Sequence, residues 1–184
     1  VTAASAAGQH GVVIRAATTA DLPGMAAIYN DAVLHSLATF DVEVRPDDHY
    51  ADRLRSRAPG DHVLVAVTEP AAEVVGYAFS GVYRPRAAYD ATREVSVYLA
   101  EAARGQGLGR RLYAELFARV DADGIHTCLA VIAQPNPASE ALHRSFGFEP
   151  AGTLREVGRK FDRWVDTAFW QRLHPGPLEA PAAP

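Results

Sequence analysis

The sequence predicts a mixed α/β domain, with a central sheet of parallel and antiparallel strands flanked by helices. Three observations predict it. Apolar runs of strand length alternate with segments whose apolar residues recur every three or four positions. Two pairs of runs are joined by short polar links, as antiparallel hairpins are. Between them lies a strand, a glycine loop, a helix and another strand, an order that implies a parallel pair with a right-handed crossover.

Each element has its own signal. Residues 12–16 are a short apolar run, read as a strand. Leu22, Met25, Ala26, Tyr29 and Val33 then form one face of a helix, with Thr19 and Asp21 as its cap signals. Pro46 is expected to open a second, more polar helix over 46–57, with Tyr50 and Leu54 four apart and Gly60 ending it. Runs 63–67 and 74–83 flank Glu69-Pro70 and read as a hairpin. Residues 94–99 form the next strand, followed by a helix with Leu108, Leu112, Leu116 and Val120 on one face and Gly124 at its close. Residues 127–132 read as a strand. Asn136 caps a helix with Pro137 at its first position, Leu142 and Phe146 as its apolar stripe and Gly147 as its stop. Runs 153–157 and 164–170 read as a closing hairpin. The expected order is β-α-α-β-β-β-α-β-α-β-β.

The 184 residues suit a single domain. Residues 1–10 read as a flexible N-terminal tail, 11–174 as the folded unit and 175–184 as a proline-rich C-terminal tail. Lys and Arg total 18 against 22 Asp and Glu, a formal charge of −4, which argues against a nucleic-acid partner. The 48% hydrophobic content excludes a wholly disordered chain. A single Cys, Cys128, rules out an intrachain disulfide and a Cys-rich zinc site; it sits in an apolar run and reads as core. No metal is expected. No stretch reads as a membrane span or a signal peptide, so the expected partner is not a membrane and the expected location is the cytoplasm.

Arg104-Gly-Gln-Gly-Leu-Gly109 carries the most information. Its glycines let successive N–H groups converge on one point, and the helix behind adds unpaired donors and the positive end of its dipole. The result is a site for phosphate groups, or else a plain turn. It is not a Walker loop, because Gly109 precedes Arg110-Arg111. Nor do glycines at 105, 107 and 109 match the dinucleotide fingerprint.

Following Val97-Tyr98-Leu99, this loop resembles the acetyl-CoA loop of the GNAT superfamily of N-acetyltransferases. Asn136-Pro-Ala-Ser-Glu-Ala-Leu-His-Arg-Ser-Phe-Gly-Phe148 resembles that superfamily's later N-x-x-S-x-x-L-Y-x-x-x-G-F element, with His143 in place of its Tyr. Within the superfamily the chain is similar to the phosphinothricin and methionine sulfoximine N-acetyltransferases. The carrying segments are Ile28-Tyr-Asn-Asp-Ala-Val33, Thr39-Phe40, Tyr83-Arg-Pro-Arg86, Tyr89, Thr92-Arg-Glu-Val-Ser-Val-Tyr98 and Gly158-Arg-Lys-Phe-Asp-Arg-Trp-Val-Asp166 followed by Phe169-Trp-Gln-Arg172. The resemblance implies a homodimeric enzyme of the acyl-CoA N-acyltransferase fold. It would move acetyl from acetyl-CoA directly to the α-amino group of a glutamate-like amino acid.

Roles follow residue by residue. Glu94 is the expected base, since an amine must lose its proton before attacking a thioester; the alternative is a surface carboxylate or a partner for Arg93. The resemblance implies that main-chain groups of Ser96, Val97, Tyr98 and Leu99 hold the pantetheine arm on a splayed strand, with the Val97 N–H on the thioester oxygen. Arg104, Gly105, Gln106, Gly107, Leu108 and Gly109 would hold the diphosphate, with Asn136 and Ser139 beside the cofactor. His143 would hand a proton or hydrogen bond to the departing thiolate, or is a satisfied helix histidine. Arg84 and Arg86, placed on a strand end, suit an anionic acceptor. Phe40 and Tyr89 could pack on its aliphatic part. Lys160, Trp164 and Asp166 read as shaping the closing strand or a dimer contact. Acetylation of another amine, such as a protein N-terminus, and a non-catalytic CoA-binding domain remain as alternatives.

Overall fold

The computed structural model describes residues 11–174. Both expected tails lie outside the described residues. The chain runs β1 (Val12–Ala16), α1 (Leu22–His35), α2 (Ala51–Arg55), β2 (His62–Thr68), β3 (Val74–Val82), β4 (Thr92–Leu99), α3 (Leu108–Ala122), β5 (Thr127–Ala133), α4 (Pro137–Arg144), β6 (Glu149–Lys160) and β7 (Arg163–Leu173), with three short 3-10 turns between. This is the order expected from the sequence. The seven strands form one sheet, ordered β1-β2-β3-β4-β5-β7-β6. Only β4 and β5 run parallel; the other neighbours are antiparallel.

Side-chain alternation along the strands makes two cores. Val95, Cys128, Ala130 and Ile132 face α3, whose stripe Leu108, Leu112, Leu116 and Val120 is at most 4% exposed. Burying each such aliphatic side chain stabilises the fold by about 1.5–3 kcal/mol. Tyr77 and Phe79 face Met25, Tyr29 and Val33 of α1 on the opposite side, with Tyr98 packed against them. On β4, therefore, Val95 and Val97 look toward α3, while Glu94, Ser96 and Tyr98 look toward α1.

Four local details correct or refine the expectations. The helix expected over 46–57 is helical only at Ala51–Arg55. Before it, His49 N bonds Pro46 O and Ala51 N bonds Asp48 O, which are three-residue turns and not helical steps. Asp21 is the N-cap of α1, as expected, whereas Thr19 opens a 3-10 turn before it that is capped by Thr18: the Asp21 carboxylate accepts from the Thr18 N–H and hydroxyl, and it also grips Arg15 through two 2.7 Å bonds. These contacts pull the Asp21 pKa down to about 2, chiefly through the Arg15 hydrogen bonds. The expected stripe, Leu142 and Phe146, packs half-buried against the α3 core, and His143 is the fully buried residue of α4 beside it. Finally, the closing hairpin forms as expected, with longer strands, and β7 is the strand that pairs with β5.

Candidate active site

The β4–β5 ladder stops early. Its register covers only Thr92↔Thr127, Arg93↔Cys128 and Glu94↔Leu129. Beyond Glu94 the strands part, and the β5-facing edge of residues 95–99 is left without strand partners. A cavity of about 540 Å³ fills the cleft. Ile28 and Ala32 of α1 and residues 36–38 line it on one face of the sheet; Tyr113 of α3 and Leu142 and His143 of α4 line it on the other. The cavity thus joins the two layers through the sheet. Ser96, Val97, Tyr98, Leu99, Arg104, Gly105, Asn136, Ser139 and His143, all singled out in the sequence, line it together.

At the mouth, Gly105 and Gly107 hold φ of +74° and +75°, the left-handed region that glycine enters without strain. A Cβ at either would meet nothing within 4 Å. No hydrogen bond from the described residues closes on the N–H groups of residues 105–109, and Leu108 and Gly109 open α3. The loop is a concave row of free donors on a helix N-terminus, a shape and polarity suited to a diphosphate. Gln106 ties the loop back through its side-chain amide to Ala102 O at 2.7 Å, and Arg104 Nε reaches Leu99 O at 3.3 Å. Across the cleft, Asn136 caps α4 by accepting from Ser139 N at 3.1 Å.

Glu94 lies at the fork where the strands separate. Arg93, its neighbour in sequence, points to the other face: its Nε sits 2.8 Å from Asp61 Oδ1, close but poorly aimed for a hydrogen bond, and it donates to Asp90 O and Thr92 O. The Arg93 partnership for Glu94 is thereby removed. Among the described residues no hydrogen bond or ion pair engages the Glu94 carboxylate. Partial burial raises its pKa above the ordinary glutamate value, with Arg53 pulling the other way.

His143 is 3% exposed. Its Nδ1 lies 2.8 Å from Ser139 O and its Nε2 2.9 Å from the Tyr113 hydroxyl. A carbonyl can only accept, so Nδ1 carries the proton and the Tyr113 hydroxyl donates to Nε2. Burial lowers the pKa of the ring and keeps it neutral. The expected proton donor therefore has both nitrogens engaged. Cys128 is buried and its thiol is pushed up to about 11, which leaves it protonated and inert.

The acceptor-side residues fall elsewhere. β3 ends at Val82, so Arg84 and Arg86 do not share a strand face; Arg86 N bonds Arg84 O in a tight turn between them. Both are exposed, and Arg84 lies over the Tyr83 ring, which in turn meets Tyr89 edge to face. Phe40 is not in the cavity wall: its ring packs directly against Gly158 of β6, where any side chain would collide with it. Lys160 is buried and donates to Thr39 O at 2.8 Å, so it pins the Thr39-Phe40 turn to the closing hairpin. Asp166 accepts from Glu156 N across that hairpin. Tyr113, Arg163 and residues 36–38 of the wall had no sequence signal beyond helical spacing or loop polarity.

The Acetyltransferase (GNAT) domain family model matches residues 14–169. A phosphinothricin N-acetyltransferase of Streptomyces coelicolor is 41% identical over 88% of this chain and 95% of its own length. An L-methionine sulfoximine/L-methionine sulfone acetyltransferase of Pseudomonas paraeruginosa is also 41% identical, over 86% and 92%. Among solved structures, a ribosomal-protein-alanine N-acetyltransferase of Brucella melitensis superposes with TM-score 0.81 at 45% identity, covering 88% of this chain and 99% of that one. A phosphinothricin acetyltransferase of Sinorhizobium meliloti in complex with AcCoA superposes with TM-score 0.82 at 38% identity, covering 88% of each chain.

Proposed function

This chain belongs to the GNAT acetyltransferase family, and from that premise we propose that it transfers acetyl from acetyl-CoA to the α-amino group of a glutamate-like amino acid such as phosphinothricin or methionine sulfoximine. The observation that carries this is the parted β4–β5 ladder with Glu94 at its fork and a row of free N–H groups at its mouth. Residues 104–109 hold the diphosphate, the open edge of Ser96, Val97, Tyr98 and Leu99 takes the pantetheine arm as an added strand, and Asn136 and Ser139 border it. Acetyl-CoA supplies an activated acyl group.

Glu94 takes the proton of the acceptor ammonium, directly or through a water, and the upward shift that burial gives its pKa makes it a stronger base than an exposed glutamate. The amine nitrogen then bonds the acyl carbon as the carbon–sulfur bond breaks, and the proton that the nitrogen sheds on becoming an amide goes to the departing thiolate, directly or through solvent. The Val97 N–H steadies the charge growing on the acyl oxygen. A thiol pKa near about 8.5 makes the thiolate an adequate leaving group. His143, with no free N–H, positions Tyr113 and the wall around the sulfur rather than acting as the acid. Arg84 and Arg86 attract the anionic side-chain group of the acceptor, with Tyr89, edge to face on the Tyr83 ring, beside them.

The enzyme is a cytoplasmic homodimer in this reading. Leu154, Val157, Phe161 and Trp164 on the β6–β7 hairpin are each at least 50% exposed, a concentration of apolar side chains that suits a subunit contact. Acetylation turns the acceptor ammonium into a neutral amide and so would disarm a glutamate-like antibiotic. A second reading, acetylation of a protein N-terminus, is favoured by the similarity to the Brucella melitensis enzyme. Thiol release from acetyl-CoA, measured with phosphinothricin, methionine sulfoximine, methionine sulfone and alanyl peptides, separates the two. Turnover of the amino acids is expected, and turnover of peptides alone would overturn the first reading.

A further inference from the structure

Arg53, on α2, takes no part in the scheme above. Its guanidinium rests 4.3 Å from the centroid of the Phe79 ring. Its Nη1 fills the space that a side chain at Gly81 would need. Gly81 is the β3 partner of Glu94, as Phe79 is of Ser96. Opposed residues on neighbouring strands place their Cβ positions about 4.5–5.5 Å apart, so the Arg53 cation and the Glu94 carboxylate occupy one patch of the α1 face. They do not neutralise each other: among the described residues no carboxylate forms an ion pair with Arg53. The nearby acids are engaged elsewhere, Asp52 with Arg55 and Asp61 with Arg93. Arg53 is exposed and borders an open cavity of about 310 Å³ with Gly81 and Val82, lined also by those two paired acids, Asp52 and Asp61.

A separated cation and anion on one face match a group that carries both charges on a single carbon. We infer that Arg53 receives the α-carboxylate of the acceptor while its amine faces Glu94, so that the enzyme selects free α-amino acids over peptide N-termini. The inference rests on the amino-acid reading above and deepens it. Arginine suits the task because its fork binds both carboxylate oxygens at once. Arg84 and Arg86 remain for the distal anionic group. A peptide N-terminus presents a neutral amide where the carboxylate would be, and leaves Arg53 without an ionic partner.

The test compares kcat/KM for L-methionine sulfone and for its α-carboxamide, with acetyl-CoA as donor. The unaltered enzyme is expected to prefer the acid by about 10- to 100-fold, the range of a charge-assisted pair. Arg53→Ala is expected to erase most of that preference by raising KM for the acid, with kcat little changed, and Arg53→Lys to restore part of it. Circular dichroism and calorimetric coenzyme A binding establish that each variant is folded, and Arg53→Gln serves if the alanine variant is not. Equal use of acid and amide by the unaltered enzyme, or a variant that loses both acceptors alike with their ratio kept, overturns the role of Arg53 alone. No turnover of either acceptor by the unaltered enzyme overturns the amino-acid reading together with it.

Discussion

Glu94 shows how little of a side chain's chemistry resides in its identity. One position earlier, Arg93 points to the opposite face and is consumed by Asp61 and backbone carbonyls. Glu94, half-buried and unpartnered, keeps its basicity. Because its raised pKa comes from burial, kcat/KM is expected to fall as pH drops through that pKa, where the carboxylate takes up a proton and stops acting as a base. Glu94→Gln is expected to lower kcat/KM by about 10²- to 10⁴-fold near neutral pH. The loss should shrink at alkaline pH, where the acceptor amine is already free; a loss of the same size at every pH would remove the base role. Glu94 was legible in the sequence as an acid at the head of a strand leading into a glycine loop. Arg53 was not, because its relation to Glu94 runs across the β3–β4 ladder and over 41 positions of chain.

At the scale of elements, the site is a fork in a sheet with a loop across its mouth. The loop was legible because left-handed backbone and close approach demand glycine, and glycines at 105 and 107 occupy those conformations. Gly107→Val forces a β-branched residue to φ +75°, at a cost of at least about 1–2 kcal/mol, and sets a side chain where the donors converge. Since nothing lies within 4 Å of the new Cβ, the fold is expected to survive while calorimetry shows coenzyme A affinity at least about tenfold weaker. An unchanged Kd would take the diphosphate away from this loop. The segment at 46–57 was misread for the opposite reason. Its spacing suits a helix, but tight turns at Asp48 and His49 carry Tyr50 into the α1 core, and burial of that ring overrides the periodicity. Likewise, Arg84 and Arg86 appear strand-like in spacing, yet the strand ends before them.

For the whole molecule, the cavity exists because α1 and α3 cover opposite faces of one sheet that opens between β4 and β5. The same construction leaves the β6–β7 hairpin projecting with its apolar side chains bare. Trp164, 62% exposed, is the largest of them. Trp164→Glu is expected to convert a dimer into a monomer in analytical ultracentrifugation, with little change in the melting temperature measured well below the dimer dissociation constant. A variant that sediments as the unaltered protein does would place the contact elsewhere.

Element order, the α3 stripe, the Asn136 cap and the glycine loop were determined by the sequence alone. Each depends on residues within a few positions of one another, where periodicity and backbone preference act directly. The tertiary structure decided that β7 lies between β5 and β6, that β4 and β5 part at Glu94, and that His143 is fully bonded rather than free. It also decided that Arg53 stands beside Glu94. Those facts depend on contacts between segments far apart in the chain, whose partners are chosen by packing a shared core and not by any local pattern.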